Sequence, residues 1–171
     1  MNPIFLFPTE LEAKAFCGLC PDAEVVISGV GMAEMAATIA RINATQSLEG
    51  RTVILAGIAG CYEQRCAVGE VVEVVSEVVA ELPERFRQSY RVEPFTHLRG
   101  VASNTVSRCN AASCSADIEN MEGAAVFALC AAHGVPCAEI RAISNYTTDS
   151  REKWNIPVAL AALVKTVNRL F

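Results

Sequence analysis

The sequence predicts the α/β class: a single-domain layered fold over residues 1–171, with a central, mostly parallel or mixed sheet flanked by helices. Three observations predict it. Short β-rich runs alternate with segments of helical period. Several of those runs lack a polar alternate face, as strands buried on both sides do. The 171 residues, 52% hydrophobic and 19% charged, fill one sizeable core and not two.

Taken in order, Ile4–Phe7 is apolar, has no basic leader and is followed at once by Glu10 and Glu12, so it reads as a buried first strand rather than a signal peptide. Glu24–Ile27 is the second β-rich run. Met32, Met35, Ala36, Ile39 and Ala40 then recur at helical spacing, with Glu34, Thr38 and Arg41 on the other face, which is the pattern of an amphipathic helix. Thr52–Ala56, Glu70–Val75 and Gly100–Ser103 read as strands. Between the last two, Ser76–Leu98 mixes Glu, Arg and two prolines with scattered apolar residues and reads as a strand end followed by a long surface loop. A second helix starts near Met121 and ends at Gly134, with Pro136 as a stop signal. Ala138–Ser144 is the last strand. A third helix, from Pro157, carries Leu160, Leu163, Val164, Val167 and Phe171 on one stripe.

Composition narrows the function classes. A formal net charge of −5, with no Lys/Arg run, makes nucleic acid an unexpected partner. The longest apolar stretches, such as Val53–Ala59, fall far short of the roughly 20 residues a membrane span needs. Eight cysteines in a chain large enough to stand on its core fit a reducing cytoplasm. Cys17 and Cys20 form a C-x-x-C, but neither Cys61 with Cys66 nor Cys109 with Cys114 has the spacing of a second ligand pair. The cysteines read as small apolar filler, and no metal or cofactor is expected.

In folds of this kind ligands sit at the carboxyl ends of the strands, and four segments there carry chemistry. Pro8-Thr9-Glu10-Leu11-Glu12 places carboxylates after the opening strand. Ser28-Gly29-Val30-Gly31 is a glycine turn leading into a helix: either an ordinary tight turn or a cradle of N–H groups for an anion. Ala56-Gly57-Ile58-Ala59-Gly60 ends the third strand with small residues that let a flat ligand lie on the backbone. Glu119-Asn120-Met121-Glu122-Gly123-Ala124-Ala125 and Arg141-Ala142-Ile143-Ser144-Asn145 form the fourth feature.

In their order and spacing these motifs resemble the purine nucleoside phosphorylase and nucleosidase superfamily, in which a Met-Glu pair opens a helix and an Arg-x-Ile-Ser-Asp/Asn strand ends at the base. The resemblance covers most of the chain. Arg141 to Asn145 followed by Ser150-Arg151-Glu152-Lys153-Trp154 looks most like futalosine hydrolase, a nucleosidase of an alternative menaquinone pathway, with the methylthioadenosine and S-adenosylhomocysteine nucleosidases as the nearest other branch. The chain is shorter than is usual there, and the gap falls between Ser76 and Asn104, where relatives place a strand and loop that cover the base.

The resemblance implies a role for each residue. Glu122 would accept hydrogen bonds from ribose hydroxyls, with Met121 against the sugar face and Ile58, Ala59 and Gly60 lining the substrate. Glu122 is equally a first-turn carboxylate that a helix dipole favours. Glu12 would hold and deprotonate the attacking water, with Glu10 as its competitor. A carboxylate suffices because an oxocarbenium-like transition state asks mainly for an oriented water. Asn145 stands where adenosine-type nucleosidases have an Asp that protonates the purine N7. An amide cannot transfer a proton but can donate to N7 or to a 6-oxo group. Arg141 would face the water or anion region, or else lie at a sheet edge. His133 reads as a helix cap, His97 as either a loop residue or a contact on the 5′ side of the ribose, and Trp154 as a packing anchor. The implied activity is hydrolysis of the N-glycosidic bond of a 6-oxopurine nucleoside with release of hypoxanthine, by a cytoplasmic homo-oligomer whose partner is a small purine nucleoside. A shortened, non-catalytic nucleoside-binding member and a phosphorylase are the alternatives. Phosphorolysis is the weaker of these, because Arg141 is the one obvious phosphate contact.

Overall fold

The computed structural model describes residues 2–62, 65–110 and 116–171; Cys114 lies outside them. Strand β1, Pro3–Phe7, occupies the first apolar run. Helix α1, Glu10–Leu19, follows directly and carries the carboxylates that come after the opening strand. Thr9 caps it by accepting the Glu12 N–H, and Glu10 and Glu12 sit in its first turn, where the helix dipole favours carboxylates. The order continues with β2, Glu24–Ile27, and α2, Met32–Gln46. Next come β3, Thr52–Cys61; β4, Val71–Val79; β5, Ser89–Arg91; β6, Gly100–Thr105; and β7, Ile118–Asn120. The chain ends with α3, Gly123–His133, then β8, Cys137–Tyr146, and α4, Ile156–Leu170.

The strands form one mixed sheet. β2, β1 and β3 are parallel neighbours, and β8 lies parallel to β3 on its other side. From there the pairing closes on itself: β8 against β4, β4 beside β6, β6 beside β7, and β7 back on the end of β3. The α/β class and the flanking helices match the expectation. The closure does not follow from an open layered reading, because it depends on β7, three residues long, and on β4 running antiparallel to β8. Short strand β5 pairs with β4 inside the segment read as loop, 76–98.

Two apolar clusters cover the sheet. One packs Met35, Ile39 and Ile42 of α2 and Val126, Phe127 and Cys130 of α3 against Leu6, Leu55 and Val74. The other packs Ala13 and Phe16 of α1 and Ala159, Leu163 and Val167 of α4 against Phe7, Ile54 and Ile140. α3 ends as expected at Gly134, whose φ of 65° is the left-handed conformation glycine adopts freely; His133 lies in the last turn, its Nδ1 3.5 Å from Asn43 Nδ2. Cys17 is exposed on α1, and Cys20 Sγ donates to Asn168 Oδ1 at 2.9 Å. Among the described residues no group of three or more His, Cys, Asp or Glu is placed to hold a metal, and no helix is long and apolar enough to cross a membrane.

Candidate active site

At the carboxyl ends of β1, β3 and β8 lies a cavity of about 400 Å³, within the usual size of small-molecule sites. Glu12, Ile58, Ala59, Gly60, Met121, Glu122, Arg141 and Asn145 all line it, as do Glu119 and Trp154. These eight residues expected at the site therefore meet in one place. Glu10 does not: it is exposed on α1, while Glu12, two positions on, is 6% exposed and faces the cavity.

Glu12 is held by its own helix start and by β3. Its Oε2 accepts from the Thr9 hydroxyl at 2.6 Å and its Oε1 from the Ile58 N–H at 3.0 Å. Thr9-x-x-Glu12 has the spacing of a capping box, a signal in the sequence that would have disclosed α1. Ile58 thus serves the site through its backbone, since its carbonyl also accepts from Arg141 Nη1 at 3.3 Å.

Arg141 is neither at the surface nor at a sheet edge; it is 1% exposed in the middle of β8. Its Nε donates to Glu139 at 2.7 Å, and its Nη2 to Asn120 Oδ1 at 3.0 Å and Glu122 Oε2 at 3.1 Å. Burial works against the charge, but Glu139, Glu122 and Glu12 outweigh it and hold the guanidinium pKa above its ordinary value. Gly57 makes the approach feasible, since a Cβ there would lie 2.6 Å from Arg141 Nη1 and 2.9 Å from Glu12 Oε1.

Glu122 is the N-cap of α3, and its Oε1 accepts the Gly31 N–H at 2.9 Å. Of the glycine turn, the Gly31 N–H alone is seen to meet an acceptor of this kind, and that acceptor is a carboxylate of the chain itself. Gly29 and Gly31 adopt φ of 86° and 96°, and a Cβ on Gly29 would crowd Glu34.

At the other end, β8 slips by one residue against β3 between Ala59 and Gly60, which pairs Gly60 with Asn145. Asn145 Nδ2 donates to the Tyr146 carbonyl at 2.8 Å and its Oδ1 accepts from Ser144 Oγ at 2.7 Å. The Tyr146 carbonyl can only accept, which fixes the amide's orientation and leaves one N–H for a ligand. Gly57 and Gly60 are three residues apart on β3, roughly 10 Å at about 3.3 Å per residue, so Glu12 and Arg141 over Gly57 and Asn145 beside Gly60 stand at successive places along the same strand.

Other side chains were not anticipated. Behind α3, Glu77 and Glu139 are fully buried beside Gly123, whose missing Cβ leaves them room. Burial, then repulsion from Glu139, pushes the Glu77 carboxyl well up, and burial raises Glu139 despite Arg141. Charged residues two apart in an apolar strand, Glu139 and Arg141, were the available signal. Trp154 is more than a packing anchor, because it lines the cavity with the Arg151 guanidinium 4.1 Å from its ring centre. His97 is exposed and not part of the lining, and neither is any residue of 76–104.

A family model described as the phosphorylase superfamily matches residues 99–171. Futalosine hydrolase of Thermus thermophilus is 29% identical, over 98% of this chain and 94% of its own length. That of Streptomyces coelicolor is 28% identical, over 88% and 79%. Among solved structures, a futalosine hydrolase mutant from Helicobacter pylori superposes with a TM-score of 0.85 at 13% identity, covering 99% of this chain and 98% of the other. A 5′-methylthioadenosine/S-adenosylhomocysteine nucleosidase from the same species, with butyl-thio-DADMe-Immucillin-A, gives 0.84 at 13%, covering 99% and 97%. At those identities the likeness is one of fold.

Proposed function

We propose that this chain, which is similar to the phosphorylase superfamily over residues 99–171 and to the two futalosine hydrolases, is a nucleosidase that uses water to cleave the N-glycosidic bond of a futalosine-like 6-oxopurine nucleoside and releases hypoxanthine. The observation that carries this reading is the pair of buried carboxylates, Glu12 and Glu122, gathered around Arg141 in one cavity wall about three strand residues from Asn145.

Each group has a task its geometry suits. Glu122, fixed at both oxygens by Gly31 and Arg141, keeps lone pairs for the ribose hydroxyls, with Met121 against the sugar face. Glu12, held by Thr9 and Ile58, orients the water and takes its proton as the sugar develops oxocarbenium character. Asn145 donates its remaining N–H to the leaving base, stabilising charge that grows there. Four of the five N–H donors of Arg141 are engaged by Glu139, Asn120, Glu122 and the Ile58 carbonyl, so it positions carboxylates and keeps at most one Nη1 N–H for a phosphate. That favours hydrolysis over phosphorolysis. Neither a metal nor a cofactor enters this scheme.

The same reading includes one domain over 1–171, a cytoplasmic setting and a homo-oligomer. Leu11 and Val30 are 59% and 49% exposed at the cavity rim, where a second copy would cover them. A sedimentation run giving only monomer would count against that part. Product analysis in phosphate buffer tests the chemistry: the sugar of inosine or futalosine should appear as the free sugar beside hypoxanthine. Recovery of a sugar 1-phosphate would make the protein a phosphorylase, and binding without release a non-catalytic member.

A further inference from the structure

One carboxylate in the cavity has no part in the scheme above. Glu119, on β7, is 4% exposed and lines the cavity at the Asn145 end. Its Oε2 accepts from the Tyr62 hydroxyl and its Oε1 from the Asn110 N–H, both at 2.7 Å. The Tyr62 oxygen in turn accepts from Asn104 Nδ2 at 3.2 Å, which directs the hydroxyl proton at Glu119. Asn110 makes its bond from a left-handed backbone conformation, φ 56°, that Asn tolerates better than most residues. The carboxylate plane is thus fixed while about two of its acceptor positions stay open.

Asn145 is its neighbour. A Cβ built on Gly60 would lie 3.2 Å from Asn145 Nδ2 and 3.5 Å from Glu119 Cγ, so the two side chains flank the same glycine. The pair presents an acceptor beside a donor, a complementary match to the lactam edge of a 6-oxopurine, where the N1–H donor adjoins the C6 carbonyl acceptor. A 6-aminopurine reverses both, setting the N1 lone pair against the carboxylate and leaving a buried acceptor unpaired.

We propose that Glu119 is a specificity-determining residue that accepts the N1–H of a 6-oxopurine while Asn145 donates to O6. The inference rests on the nucleosidase reading and names the group that selects its base.

The test is calorimetric titration of the protein with hypoxanthine, adenine and 1-methylhypoxanthine, which needs no turnover. Wild type should bind hypoxanthine more tightly than either of the others, the methyl group having removed the N1 donor. In Glu119→Gln the hypoxanthine-to-adenine affinity ratio should fall by about 5- to 150-fold, the equivalent of one buried hydrogen bond. In Glu119→Ala the penalty for the N1 methyl should shrink by a similar factor. The wild-type comparison stands even if a variant fails to fold: equal binding of hypoxanthine and 1-methylhypoxanthine overturns the proposal. Tight hypoxanthine binding with ratios unmoved in folded variants overturns the role of Glu119 and leaves the nucleosidase reading standing. Failure of wild type to bind hypoxanthine at all overturns both.

Discussion

The main-chain N–H of Gly31 donates to Glu122 Oε1 at 2.9 Å, joining a turn before α2 to the cap of α3 across 91 residues. With Arg141 on the other oxygen, the carboxylate is held in place before any sugar arrives, and that preorganisation is what a ribose contact needs. Glu122→Gln replaces one acceptor oxygen by an NH₂ that must face either the Gly31 N–H or Arg141. Both nucleoside affinity and kcat should fall, with kcat/KM down by about 5- to 150-fold for a loss of about 1–3 kcal/mol. Steady-state kinetics with a binding titration checks this, and unchanged affinity would remove Glu122 from the sugar site.

Glu12→Gln should separate rate from binding. On the proposed reading Glu12 acts on water and not on the nucleoside, so kcat should drop by about 10²- to 10⁴-fold while the dissociation constant moves by less than about threefold. Single-turnover rates beside equilibrium titration make the comparison. Glu10→Gln, altering an exposed residue on the same helix, is the control. A near-normal rate in Glu12→Gln would end its assignment as the base.

Gly57→Ala tests the geometry without replacing a titratable group. The added methyl would stand 2.6 Å from Arg141 Nη1 and 2.9 Å from Glu12 Oε1, and neither can retreat far in a buried site. We expect kcat/KM to fall by more than about tenfold and stability by about 1–3 kcal/mol, the usual cost of overpacking. Denaturant unfolding and initial rates measure the two. A fully active alanine variant would show that Arg141 and Glu12 do not meet over this glycine.

The burial of Glu77 predicts a stability that depends on pH. Its pKa in the folded state is raised above the ordinary 4.5, chiefly by burial and then by Glu139. The folded protein therefore holds this proton more firmly than the unfolded chain. The stability it brings is fully present below about 4.5 and is lost as pH rises towards the folded value. Glu77→Gln cannot ionise, so melting temperature should decline less steeply as pH rises above about 4.5 in the variant than in wild type, narrowing or reversing any deficit. Parallel slopes would mean that Glu77 does not titrate in that window.

Much of this arrangement was legible in the chain, and the reason is local. Strands such as Glu24–Ile27 and helix ends such as Gly134 are signalled by neighbouring residues, and the Met121-Glu122 and Arg141-to-Asn145 motifs are contiguous. What stayed hidden depends on distant partners. β7 has three residues and exists because β3 and β6 flank it. The anion for the Gly31 turn could not be named before α3 was placed against it. Glu119 in the sequence is one more acidic residue beside a motif; only the bonds from Tyr62 and Asn110 and the shared flank of Gly60 set it apart. α1 was the avoidable omission, because Thr9 and Glu12 already carried its cap.

In the proposed nucleosidase, Glu12, positioned with Arg141 and Glu122, activates water against a nucleoside. The most direct measurement is chromatographic detection of free base after the purified protein is incubated with inosine or futalosine in rigorously phosphate-free buffer. A hydrolase gives stoichiometric hypoxanthine at a rate that added phosphate does not raise; base release that appears only when phosphate is supplied would contradict that chemistry.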